Sequence, residues 1–352
     1  MKIITLVPPF LLCVVALFFL TAMHGVYLLD QGVYLFSYRL GTAPISRVSE
    51  QETLSAKEQE LIRRAARIRR FAVEVLGLPD TDSYTRLVRT RKSYLVDVVQ
   101  AAGKLSVRPY MWHFPLVGSV PYRGYYRQAW AEKEASRLRA SGLDVIVRRV
   151  DGFSTLGILA DPLYSFMSSY SETALAGLII HELAHAALFV KNGGAFNEEF
   201  ATFVEQEGVL RYMQWRFGAN SVQVRQVRAT RHDDTLFQAY MQGLYQELDS
   251  VYRSNRSDEE KLRLKKSLLK SATQVFAERY DVRFLTDRYR WFETVKVNNA
   301  LLSLYRSYTG DLSPFRALLV KEHGDLAATI HRTKLVVKGK SNPEDAIREA
   351  AR

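Results

Sequence analysis

The sequence predicts an α+β fold, with a small sheet beside one buried helix and a mostly helical C-terminal half. Three observations predict it. Alternating apolar and polar residues mark a strand at 143–150, and shorter extended runs lie around 94–99 and 105–112. From Ala195 onward apolar residues recur at helical spacing almost without interruption. Proline and glycine punctuation falls at 114–124 and again at Asp161-Pro162, ahead of the helical half. At 352 residues the chain is long enough for a sizeable core.

The chain opens with an uncharged apolar run at 3–22, about long enough to cross a bilayer as a helix. Pro8 and Pro9 sit near its start, where helix disruption costs least. Lys2 precedes the run, which favours an N-terminus held in the cytoplasm and an exported remainder. A retained anchor fits better than a cleaved signal, because Leu20 is a poor small-residue match before a cut at Ala22. Leu12 before Cys13 argues against a lipoprotein signal, and the single cysteine excludes an intrachain disulfide. Residues 1–23 are therefore read as a transmembrane anchor or signal segment.

Residues 24–217 are expected to form the α+β core. Tyr27, Tyr34, Phe36 and Tyr38 suit a membrane interface or packing on the domain. Ser55 and Glu58 form a capping-box pattern, and Leu61, Ala65, Ile68 and Ala72 follow at helical spacing until Gly77 and Pro79. A further helix is expected at 127–140, stopped by Gly142. A short extended segment follows at 153–158, and then a helix capped by Ser169 or Ser171 with Glu172 in its first turn. Gly193-Gly194 is read as the end of that helix. Residues 218–333 are expected to form a helical lobe, and 334–352, with Lys-Gly-Lys and Asn-Pro, a disordered tail. The net charge of +12 is spread over many helices without a nucleic-acid motif, so no nucleic-acid partner is expected.

The chemistry concentrates in His181-Glu182-Leu183-Ala184-His185. Two histidines four apart on a helix lie one above the other and can reach one metal ion. Neutral imidazole suits zinc, and Glu182 between them suits a general base on the water that the metal activates. The next helix brings Glu198, the favoured third ligand, with Glu199 as the one-residue alternative. Glu205 shares the face of Glu198 and could orient a ligating histidine from behind. A developing oxyanion needs a donor, for which Tyr122, Arg123, Tyr125 and His232 are candidates, with Tyr122 and Arg123 preferred. Ser154, Thr155, Leu156 and Gly157 lie just before the motif helix, where an extended peptide could pair with a strand edge.

His181-Glu182-x-x-His185 with Asn197-Glu198-x-x-Ala201 resembles the glutamate-zincin arrangement, in which the third ligand is the glutamate of an Asn-Glu pair on the following helix. The resemblance implies a zincin-like core with the small sheet beside the motif helix. Thermolysin-like members place an aspartate four residues beyond that glutamate, where this chain has Thr202. The chain is more similar to the predicted bacterial zinc aminopeptidase family. The similarity rests on Trp112-His113-Phe114-Pro115 through Pro121-Tyr122-Arg123-Gly124-Tyr125, on Ser154-Thr155-Leu156-Gly157 with Asp161-Pro162, on the zinc motif through Thr202, and on Asn298-Asn299-Ala300. It implies a metallopeptidase holding one zinc ion through His181, His185 and Glu198, acting on a peptide or protein substrate. An aminopeptidase is the first expectation. The alternatives are an envelope endopeptidase of the same mechanism and a non-catalytic zinc-binding scaffold. The expected location is the bacterial inner membrane, with the catalytic domain in the periplasm.

Overall fold

In the computed structural model the described residues are 43–45, 54–114, 118–150, 160–191, 193–307 and 310–352. The apolar run at 3–22 and the proposed substrate strand Ser154, Thr155, Leu156 and Gly157 lie outside them. Among the described residues no helix is long and apolar enough to cross a membrane.

The first half runs β1 (Ala43–Pro44), α1 (Ala56–Glu74), β2 (Arg86–Val88), β3 (Val96–Ala102), β4 (Trp112–Phe114), β5 (Gly118–Val120), β6 (Arg123–Tyr125), α2 (Gln128–Ala140), β7 (Asp144–Val150) and β8 (Leu163–Tyr164). The second half runs α3 (Glu172–Ala187), α4 (Gly194–Phe217), α5 (Val222–Arg253), α6 (Asp258–Arg283), α7 (Asn299–Ser307), α8 (Ser313–Lys321), α9 (Leu326–Val337) and α10 (Pro343–Ala351). The molecule is α+β, as its sequence pattern requires. The strands form short separate sheets. In one, β2 pairs antiparallel with β1 and parallel with β8. In another, β3 lies between β6 and β7, antiparallel to both. β4 and β5 make a hairpin.

Local rules account for the starts of these elements. The capping box is present: the Glu58 N–H donates to Ser55 Oγ, and the Ser55 N–H donates to Glu58. Ser221 caps α5 by accepting from the Val224 N–H, and Ser257 caps α6 by accepting from the Glu260 N–H. β3 is buried on both faces, because α2 covers one cluster of its side chains and the helical half meets the sheet elsewhere.

The Asn298-Asn299 pair fastens sheet to helices. Asn299 is fully buried; its N–H donates to Asp144, and its amide donates to the carbonyls of Gly103 and Lys104. Asp144 also accepts from Lys104 and from the buried Lys265. The pair is thus explained by satisfied burial of polar groups.

Two boundaries differ from the sequence reading. Residues 334–352 are not a disordered tail: they continue α9 and form α10. Asn342 caps α10 by accepting from the Asp345 N–H, Pro343 takes the first helical position, and Ile347 is buried in the main core. The apolar positions of so short a helix are too few to show against its charged surface. Gly193-Gly194 does not end the motif helix. That helix stops at Ala187 with Leu188 extended, and Gly194 opens α4. The core also cuts across the expected lobes. Phe315 of α8 packs on Phe196, Phe200 and Phe203 of α4 at ring-centroid distances of 5.6, 6.1 and 5.4 Å. A separate aromatic cluster joins α5, α6 and α7 around Phe237.

Candidate metal centre

The centre is built by α3 and α4. Ser171 caps α3 by accepting from the Ala174 N–H, with Glu172 next to it in the first turn. Leu175, Ile179, Ile180 and Leu183 anchor the helix in the core. Close approach of α4 depends on glycine: a Cβ on Gly208 would lie 2.9 Å from Leu76 Cδ1 and 3.0 Å from Ile180 Cγ2. The loop between the helices is clamped by Asn197. Its Oδ1 accepts from the Val190 N–H and its Nδ2 donates to the Val190 carbonyl, both at 2.8 Å. This gives the Asn-Glu pair a physical meaning. Asn197 fixes the start of α4 so that its neighbour, Glu198, meets the histidines.

The three expected ligands converge. His181 Nε2 and His185 Nε2 are 3.2 Å apart. Glu198 Oε2 lies 3.6 Å from the first, and Oε1 lies 3.5 Å from the second. Tetrahedral zinc with bonds of about 2.0–2.1 Å requires ligand atoms about 3.3–3.4 Å apart. The observed distances are close to that spacing, although the two from Glu198 run from different oxygens of its carboxylate, and one ligand atom of each residue lies within 4.8 Å of the others; the donor set, two imidazoles and a carboxylate, is one that zinc accepts. His185 is nearly fully buried, with its side chain 1% exposed, whereas Glu198 is 48% exposed. The fourth side of the group therefore faces solvent.

Behind the ligands, Glu205 Oε2 sits 3.0 Å from His181 Nδ1, which fixes the tautomer and turns Nε2 toward the ligand point. Gly177 leaves room for that carboxylate, since a Cβ there would come within 3.0 Å of Glu205 Oε1. His185 Nδ1 is buried and has no hydrogen-bond partner among the described residues. Without an ion, burial opposes a charge on His181, but the Glu198 and Glu205 carboxylates outweigh it and hold its pKa up at about 10. Burial and the charged His181 hold His185 below the usual histidine range. The hydrogen bond from His181 lowers Glu198 against the effect of burial. An ion entering this group would have to compete with a proton on His181.

A family model described as "Putative aminopeptidase" matches residues 27–347. The chain belongs to that family. No curated protein and no solved structure matches it significantly. The match takes in the convergent group and the helices that hold it.

Arg123 lies in β6, with its guanidinium over the rings of Phe114 and Tyr125 at 5.9 and 5.5 Å. Tyr122 precedes that strand and is exposed, and His232 is exposed on α5. The two rings beneath Arg123 belong to β4 and β6. Two residues to which the sequence assigns no part in the site, Tyr84 and Asp161, feel the charge of Glu182. Tyr84 is buried in the left-handed region at φ +62°, and its N–H donates to the Asp161 carbonyl at 2.5 Å. Burial first, then the charge of Glu182, raises the Tyr84 hydroxyl. The same two causes push Asp161 up to about 7. No short-range spacing links either residue to the motif.

The raised Asp161 has a consequence for stability. Its folded pKa exceeds its unfolded value of 3.8, so its contribution is fully favourable below pH 4 and is lost as pH rises toward 7. Asp161→Asn is expected to stabilise the metal-free protein at pH 8 by roughly 2–4 kcal/mol, and by much less at pH 5. Urea melts at the two pH values check this; equal stabilisation at both would show that the carboxyl is not strained by burial.

Proposed function

We propose that this member of the family is a zinc-dependent metallopeptidase, working as an aminopeptidase with Glu182 as its general base. The observation that carries the reading is the convergence of His181, His185 and Glu198, one ligand atom of each within 4.8 Å of the others, close enough to share one ion. A zinc ion held there supplies Lewis acidity, which polarises a peptide carbonyl and makes water acidic near neutral pH. Glu182, three residues before His185 on the same helix, takes the proton of the attacking water and delivers it to the leaving amine. Glu205 keeps His181 oriented throughout. Glu182 also weighs against a purely structural metal site, which needs no base.

The exopeptidase direction is supported by Glu199. It follows the ligand Glu198 and lines the same cavity, and its half-buried carboxylate can receive a free α-amino group. The apolar run at 3–22 supports an anchored enzyme with its catalytic domain outside the cytoplasm.

The test is hydrolysis by the zinc-loaded protein of a short peptide with a free N-terminus and of the same peptide N-acetylated. Only the free peptide should be cleaved, from its N-terminal end. Internal cleavage of the acetylated peptide at a similar rate would make the enzyme an endopeptidase. Failure of purified protein to take up zinc would remove the reading altogether.

A further inference from the structure

A cavity of about 260 Å³ opens beside Glu198 and runs along α4 from Ala195 to Gln206. That is slightly below the roughly 300–1,000 Å³ usual for small-molecule sites, so it suits a short occupant. Its two ends differ in charge. At the metal end are Glu198 and Glu199, and Gly310 lies so close to Glu199 that a Cβ there would collide with its side chain. At the Gln206 end is Arg231, reaching Glu207 Oε1 with Nη1 at 3.3 Å.

Arg231 is underused. Glu207 is shared with Arg211, whose Nη1 lies closer, at 2.7 Å. Nη2 of Arg231 is shielded from solvent and has no hydrogen-bond partner among the described residues. A buried guanidinium donor without an acceptor is costly and calls for an explanation. Asp234 is already engaged, accepting from Arg288 at 2.8 Å and from the Tyr289 hydroxyl at 2.5 Å. Arg316, which also lines the cavity, donates to the neutral amide of Gln206, which leaves its charge unneutralised. This end of the cavity thus carries the guanidinium groups of Arg231 and Arg316, which a carboxylate complements.

We propose that Arg231 receives a carboxylate of the substrate, so that the cavity takes short peptides of about three residues by their C-terminal end. Glu198 and Gln206 are eight residues apart on α4, about 12 Å along the helix. An extended peptide covers about 3.4 Å per residue, so roughly three residues link the metal end to the cationic end. The free amine then lies toward Glu199 and the carboxylate toward Arg231. This assignment rests on the metallopeptidase reading for its orientation, but the carboxylate site can be tested without turnover.

The experiment measures equilibrium binding to full-length, zinc-loaded Glu182→Gln protein. The probes are trialanine, trialanine amide, and an amidated tripeptide ending in glutamate. Trialanine is expected to bind about ten-fold or more tightly than its amide. Adding Arg231→Gln should abolish that difference, and Arg231→Lys, which keeps the pairing with Glu207, should restore part of it. If the acid and the amide bind alike, or if the difference survives Arg231→Gln in a protein that melts normally, the proposal fails. Preferential, Arg231-dependent binding of the glutamate amide would keep the carboxylate site and move its source to a side chain. Discrimination in binding with no cleavage of trialanine by the wild-type enzyme would leave the Arg231 site standing and overturn the peptidase reading.

Discussion

Glu182→Gln, loaded with zinc, is expected to keep its ion and to lose hydrolysis by a factor of about 10²–10⁴ or more. Glu182 is not among the three groups whose atoms converge, so its amide isostere leaves the ligand set intact. What it removes is the only proton acceptor beside the first histidine that the motif provides. The amide cannot take a proton at neutral pH, whatever its hydrogen bonds. Zinc content and turnover measured on the same preparation separate the two effects. Full zinc with unchanged turnover would show that another group is the base, and Asp161, whose carboxyl feels the charge of Glu182, would be the next to replace.

The second large effect is on the metal itself. Glu205→Gln should weaken zinc binding by roughly 10–100-fold, because the amide presents a weaker partner to His181 Nδ1 and can stabilise the wrong tautomer. Glu198→Ala should weaken it further, since one of three protein ligands is gone. Glu199→Ala, by contrast, should hold zinc as well as the wild type does. Competition with a coloured chelator ranks the three variants. If Glu199→Ala and Glu198→Ala changed places in that ranking, the third ligand would be the neighbouring carboxylate.

The centre was legible in the sequence because its parts are local. His181 and His185 are one helical turn apart, and Glu198 begins the next helix across a short loop. Glu205 was legible for the same reason, two turns on from Glu198 and on the same face. The limits are equally physical. Asp161 shows in the sequence as a chain break and as part of a family-like segment, and Tyr84 as an ordinary residue, because their relation to Glu182 exists only once β2 and β8 have paired. Arg231 and Gly310 lie on elements that meet α4 through tertiary packing alone. Gly193-Gly194 was misread because a glycine pair serves a helix start as readily as a helix end. The α+β class, in contrast, follows from periodicity summed over many residues, which single errors do not disturb.

The return of α8 and α10 to α4 also sets an order of events during synthesis. Gly310 and Asp311, which wall the cavity, leave the ribosome about a hundred residues after Glu198, and Arg348 of α10, 3.4 Å from Asp311, comes later still. At ordinary elongation rates that is a lag on the order of ten seconds. On the reading proposed above, a growing chain would carry its metal-binding side chains well before the wall that receives a peptide, and would stay idle, like a zymogen without a pro-segment, until α10 docks.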